Sequence, residues 1–178
     1  SGDRGIDPSI LLAGLAAAIV SAARIKTGCE GPFVVSAYFA MRTELDPAPL
    51  LAVLAGLGHT TALPVVPGKG QPLTFRAWRP GEATVSAGFG TREPPPTAPI
   101  VRPNLFLTPL LAWDHQGWRL GYGGGFYDRT LAAARAERRV FAIGLAFDEQ
   151  AVETVPHLDY DQRLDGVATP TAVRVFTE

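Results

Sequence analysis

Apolar positions along this 178-residue chain come in short continuous blocks separated by proline, glycine and charge. Asp7-Pro8 offers an N-cap and a proline for the first helical position, so the run that follows predicts a helix over 8–24. "FVVSAYF" (33–39) is unbroken and rich in β-formers, the pattern of a strand covered on both faces. Asp46-Pro47 repeats the cap and opens a second helix to about 57, where Gly58 stops it. "TTALPVV" (60–66) reads as another buried strand, and "LTFRAW" (73–78) alternates like a half-exposed one. Proline keeps "EPPPTAP" (93–99) out of any helix. "NLFLTPLLA" (104–112) predicts a further buried strand, 125–137 a helix, "VFAIGLAF" (140–147) a strand, and "AVRVF" (172–176) a short closing strand.

Buried strands alternating with helices predict an α/β fold, a mostly parallel sheet between helical layers. No linker or repeat divides the chain, so one domain over 1–178 is expected. In such sheets ligands sit beyond the carboxyl ends of the strands.

Composition changes this picture little. Apolar residues make up 47% and charged ones 19%, enough side chains for a real core. The formal net charge of −1 gives no general attraction to nucleic acid or an anionic membrane. The longest apolar run, "ILLAGLAAAIV" (10–20), is too short for the roughly 20 residues of a membrane span. It also lacks the charged start and cleavage pattern of a signal peptide. Fourteen arginines against Lys26 and Lys69 match the coding bias of a high-GC genome as readily as a phosphate-binding design. The single Cys29 excludes an internal disulfide and a cysteine-only zinc site, which points to a reducing, cytoplasmic setting.

Candidate chemistry concentrates in "WRLGYGGGFYDRTL" (118–131), where four glycines fall within five positions. A P-loop would need Lys-Ser/Thr after the last glycine, and Phe126-Tyr127 stand there instead. A dinucleotide fingerprint begun at Gly121 would need glycine at 126. What remains is mechanism: glycines let backbone N–H groups converge, and a helix starting at once aims its positive end at the same spot. That is a phosphate cradle, with Arg119 and Arg129 placed to add charge. Asp128, in the first turn, could hold Mg²⁺ beside bound phosphates. Downstream, "HLDYDQRLD" carries Asp159, Asp161 and Asp165, which in isolation read as solvated surface.

Taken together, "LLAWDHQGWRLGYGGGFYDRTL", "AIGLAFDEQAVETVP" and a Leu-Asp-x-Asp-x-x-Leu-Asp loop resemble the 5-formyltetrahydrofolate cyclo-ligase family. "YFAMRTELDPAPLL" and "GFGTREP" agree in order upstream, so the likeness runs from about 33 to the C-terminus. The resemblance implies a three-layer α/β/α fold like that of ribose-5-phosphate isomerase and CoA-transferases. It also implies ATP as co-substrate, Mg²⁺, 5-formyltetrahydrofolate as substrate, and a monomer that needs neither nucleic acid nor membrane.

Position by position, the resemblance makes Arg119, Leu120, Gly121, Tyr122, Gly123, Gly124, Gly125, Phe126 and Tyr127 the nucleotide-binding segment. Of these, Tyr122 to Phe126 also face the formyl-pterin end. Arg119, Tyr127 and Arg129 fall nearest the chemistry, Asp128 and Asp161 match the magnesium-associated aspartates, and Phe39 and Glu44 match the folate contacts. Two departures stand out. The family opens with a Lys/Arg-containing helix start, whereas this chain opens "SGDRGIDPSI", with Arg4 matching a later arginine, so that segment is expected to be lacking. Tyr160 stands where the family usually has histidine. A non-catalytic folate- or nucleotide-binding relative is the alternative, and a sugar-phosphate isomerase reading rests on fold analogy alone.

Overall fold

The computed structural model describes residues 5–41, 43–88 and 90–177. Arg4, whose charge entered the reading of the N-terminus, lies outside them. Helices α1 (Pro8–Ala13) and α2 (Ala16–Thr27) lead into strand β1 (Val34–Ser36), helix α3 (Ala48–Gly56), β2 (Thr60–Val65) and β3 (Thr74–Ala77). The short strands β4 (Val85–Ser86), β5 (Arg92–Glu93) and β6 (Ile100–Val101) precede β7 (Leu105–Thr108). A hairpin of β8 (Ala112–Trp113) and β9 (Arg119–Leu120) then delivers α4 (Phe126–Glu137), β10 (Phe141–Leu145), β11 (Gly166–Ala168) and β12 (Val173–Val175).

The main sheet has the order β12-β11-β10-β7-β1-β2-β3-β6. Its five central strands, β11 to β2, pair parallel, and antiparallel strands close both edges. Side chains of successive strand residues point to opposite faces, so each strand feeds two cores. Leu105, Leu107, Phe141, Ile143 and Leu145 pack with Ile19 of α2 and with Leu50 and Leu54 of α3. On the opposite face Phe106 and Ala142 pack with Leu131 and Ala134 of α4. The result is a three-layer α/β fold.

Local chemistry sets the boundaries. The Asp7 carboxylate accepts the Ser9 N–H at 2.9 Å, and Pro8 takes the first helical position. Asp46 likewise accepts from Ala48 N–H at 3.0 Å ahead of α3. At the far end of α3, His59 N–H bonds Leu54 C=O and Gly58 N–H bonds Ala55 C=O, a paired cap that requires Gly58 at φ +96°.

Two expectations are corrected. The single helix over 8–24 is two helices: Gly14 N–H forks between the Ile10 and Leu11 carbonyls, and the chain turns at Leu15. The strand over 104–112 ends at Thr108, because Pro109 offers no N–H to a ladder and the chain turns away to pair with β9.

Candidate functional site

From β1 the chain passes to β2 on one side of the sheet, while β7, β10 and β11 build outward on the other. The crevice at such a reversal is where an α/β sheet takes ligands. Three segments follow the carboxyl ends of β1, β7 and β10: residues 37–47, 109–125 and 146–165. They contain every candidate side chain named from the sequence except those of the first turn of α4, which the second segment leads into.

The glycine segment is shaped as a cradle. Gly123 and Gly125 take φ +94° and +69°, conformations that a Cβ would strain. Gly125 is the N-cap of α4 and offers no side chain to its free N–H groups. Those donors remain available to an anion, and the helix dipole adds to their attraction. Asp128 is the acidic residue of the first turn, and its Oδ1 accepts the backbone N–H of Gln162 at 2.9 Å. That bond brings the 158–165 segment against the start of α4. Asp161 belongs to the same segment, with its Oδ2 accepting Leu158 N–H at 2.9 Å.

Arg119 leaves β9 beneath this cradle. Its guanidinium lies 5.3 Å from the Tyr127 ring centroid and donates to Pro109 C=O at 3.3 Å, yet its Nε is buried with no partner. Burial pulls its pKa below the usual arginine value, partly offset by Asp128, Tyr127 and Asp161. The Tyr127 hydroxyl is also buried without a partner, and burial raises its pKa well above ordinary tyrosine. Two orphaned donors in one place are costly unless something accepts from them. Arg129 sits at the rim: its guanidinium lies 4.9 Å from the Phe126 ring centroid and donates to Gln71 C=O at 3.3 Å.

The loop after β1 supplies the other wall. Phe39 is half-buried three residues past the strand. Glu44 Oε1 accepts Met41 N–H at 2.7 Å, and its Oε2 accepts the Tyr122 hydroxyl at 2.9 Å. The sequence-predicted folate contact and the glycine loop are therefore in direct touch. Burial, then the bond to Glu44, pushes the Tyr122 pKa up to about 12. Tyr38, a core residue in sequence terms, pins the same loop by donating to Leu45 C=O at 2.6 Å.

The carboxylates that the sequence offered for magnesium, Asp128 and Asp161, lie on adjoining segments. Among the described residues no cluster of three or more His, Cys, Asp or Glu side chains forms. Mg²⁺ usually takes one or two carboxylates and completes its shell with water and substrate phosphate, so this sparse set suits it. Asp165 belongs elsewhere: it pairs with Lys26 and Arg135 at the amino ends of the strands. Sequence reasoning missed Gln162 and Gln71, whose backbone groups position Asp128 and Arg129; no side-chain pattern announces a backbone role.

The profile of the 5-formyltetrahydrofolate cyclo-ligase family matches residues 21–170. The chain belongs to that family. It is 38% identical over 144 residues to the 5-formyltetrahydrofolate cyclo-ligase of Mycolicibacterium smegmatis, covering 76% of this chain and 73% of the relative. The Escherichia coli cyclo-ligase is 35% identical over 144 residues, covering 78% and 79%. Among solved structures, the 5,10-methenyltetrahydrofolate synthetase of Aquifex aeolicus superposes with a TM-score of 0.68 over 93% of this chain and 82% of its own. At 24% identity, that likeness speaks for the fold. The cyclo-ligase match spans the glycine cradle, the Glu44 loop and the 158–165 segment together.

Proposed function

We propose that this chain converts 5-formyltetrahydrofolate to 5,10-methenyltetrahydrofolate at the expense of ATP, releasing ADP and phosphate. The observation that carries the reading is the cradle itself: free N–H groups at the start of α4, with the orphaned Arg119 Nε and Tyr127 hydroxyl beside them. Family membership supplies the substrate, since the cyclo-ligase relatives bear that name.

The chemistry needs an activated formyl group, because its oxygen is a poor leaving group. That oxygen attacks the γ-phosphorus and ADP leaves. The folate N10 then attacks the activated carbon, phosphate departs with the former formyl oxygen, and N10 gives up its proton as the ring closes. Phosphoryl transfer is mostly positioning and charge neutralisation, so no protein nucleophile is required. Backbone N–H groups of residues 123–127 cradle the phosphates, while Arg119 and Arg129 neutralise charge on the transferring group. Glu44 accepts N–H donors of the pterin, and Phe39 offers it an apolar face. Asp128 and Asp161 would hold Mg²⁺, which would supply charge neutralisation for the phosphates.

The deciding experiment follows the methenyl product by its near-ultraviolet absorbance, with ATP and MgCl₂ each omitted in turn. Product that requires both supports the reading. Folate binding without any product would assign the chain as a binding protein built on the same scaffold.

A further inference from the structure

A cavity of about 420 Å³ opens at the amino ends of β10 and β11, the end of the sheet opposite the glycine cradle. Its lining brings together Lys26 from α2, Arg135, Arg138 and Arg139 from the end of α4, and Arg163 from the segment before β11. Asp165 is the single carboxylate among the described lining residues. The floor is apolar, with Leu164 and Phe176. Five cations against one described acid in the lining are a marked concentration in a chain whose net charge is −1.

Helix ends explain part of it, because cations are favoured where carbonyls point outward. Each helix end carries about half a negative charge, so the ends of α2 and α4 together offset roughly one of the cations. Asp165 offsets another, and it is already shared: it accepts Ala142 N–H at 2.8 Å and pairs with Arg135 at 3.2 Å and Lys26 at 3.7 Å. Arg139 and Arg163 have no carboxylate partner among the described residues.

The guanidinium groups are also held in place by carbonyl and amide oxygens, and Arg138 by one carboxylate as well. Arg138 donates twice to Pro103 C=O, at 2.9 and 2.6 Å, and pairs with Glu137 at 3.1 Å. Arg135 donates to the Gln162 side chain and to Arg163 C=O. Arg163 donates to the carbonyls of Gln116 and Thr177. Carbonyls orient these cations without cancelling their charge, which leaves a preorganised set of forks of the kind that grip oxyanions bidentately. Arg139 is exposed and makes no hydrogen bond or ion pair to a described residue. A volume of this size suits a small molecule.

We propose that this cavity is a second ligand site, for a small oxyanion carrying two or more negative charges, separate from the glycine cradle. A phosphate ester and a polycarboxylate share that chemistry. Arg139 is the test residue, since its side chain makes no hydrogen bond or ion pair to a described residue. Calorimetry at low ionic strength would use a Gly124→Val background, in which the cradle is obstructed, with inorganic pyrophosphate and citrate as probes. The expected result is one equivalent of at least one probe bound with micromolar Kd, and the stronger probe names the oxyanion class. Adding Arg139→Gln should weaken that binding about tenfold, the effect of losing one charge-assisted hydrogen bond, and Arg139→Glu should abolish it. Millimolar binding of both probes, or affinity unchanged by Arg139→Glu, would overturn the proposal.

Discussion

Glu44 and Tyr122 show how much one side-chain contact can reveal. The carboxylate that matches the family's folate contact is already engaged by a tyrosine of the glycine loop. On the proposed function, substrate would displace Tyr122 or share the carboxylate with it. Removing the hydroxyl (Tyr122→Phe) frees one Glu44 oxygen, and because the tyrosine is largely exposed the contact is worth only about 1 kcal/mol. Folate should bind about fivefold more tightly to that variant in a fluorescence titration; weaker binding would mean that Tyr122 itself holds the substrate. Spectrophotometric titration gives a second check. The Tyr122 phenol is pushed up to about 12, first by the partial desolvation of its hydroxyl and then by Glu44, so Glu44→Gln should lower it towards ordinary tyrosine without reaching it. At the nucleotide end, Gly124 lies in ordinary backbone space, and a Cβ there would meet the Phe126 ring at 3.0 Å. Gly124→Val should thus leave the circular dichroism nearly unchanged while weakening ATP binding at least tenfold by calorimetry.

At the scale of elements, two buried polar groups hold the scaffold under the site. Asp114 is 1% exposed and receives three backbone N–H groups, from Gln116, Trp118 and Val155. It closes the β8–β9 hairpin and so aims Arg119. Asp114→Ala would strand three donors, and a loss of about 3 kcal/mol or more in urea unfolding is expected. His59 ties β1 to the α3–β2 turn by accepting Phe33 N–H on Nδ1 at 2.9 Å. Burial, then Arg24, lowers its pKa below the ordinary histidine value of about 6.5. A base that is harder to protonate when folded means that the unfolded chain binds the extra proton first. Stability should accordingly hold above about pH 6.5 and fall as the pH drops through 6.5 towards the folded value, by up to about 1.4 kcal/mol per pH unit for this one group. His59→Gln should flatten that acid limb; an unchanged limb would place the dependence elsewhere. Most elements were legible in the chain because their patterns and caps were local, as at Asp7-Pro8, Asp46 and Gly58. β11 was not, since Gly-Val-Ala carries no periodicity and becomes a strand only by pairing with β10 and β12. Nor could the break at Gly14 be seen inside an alanine-rich run that favours helix on both sides.

Over the whole molecule, the candidate site is an assembly of distant segments. The chain could announce its chemistry at 118–131, where residue types and spacing suffice, but not that Glu44 would touch Tyr122 or that Gln162 would reach Asp128. Those are products of strand order. Magnesium offers a test at this scale, because any ligand of the folded state raises stability by mass action. ATP with MgCl₂ should raise the melting temperature more than ATP with a chelator, and Asp128→Asn should remove most of that difference. An identical increment in the variant would take Asp128 out of the metal site.

The parallel core has a further consequence, for time rather than for energy. Parallel neighbours cannot be joined by a tight hairpin, and β1 finds β7 some seventy residues later in the chain. Closing such loops early is what makes non-local topologies slow to fold. The wall carrying Glu44, the cradle and the Asp161 segment stand on three of these strands, so none can face the others until the register of β1, β7 and β10 is complete. Upon dilution from denaturant, helical signal from α2 and α4 should return first, and nucleotide binding only with the last kinetic phase.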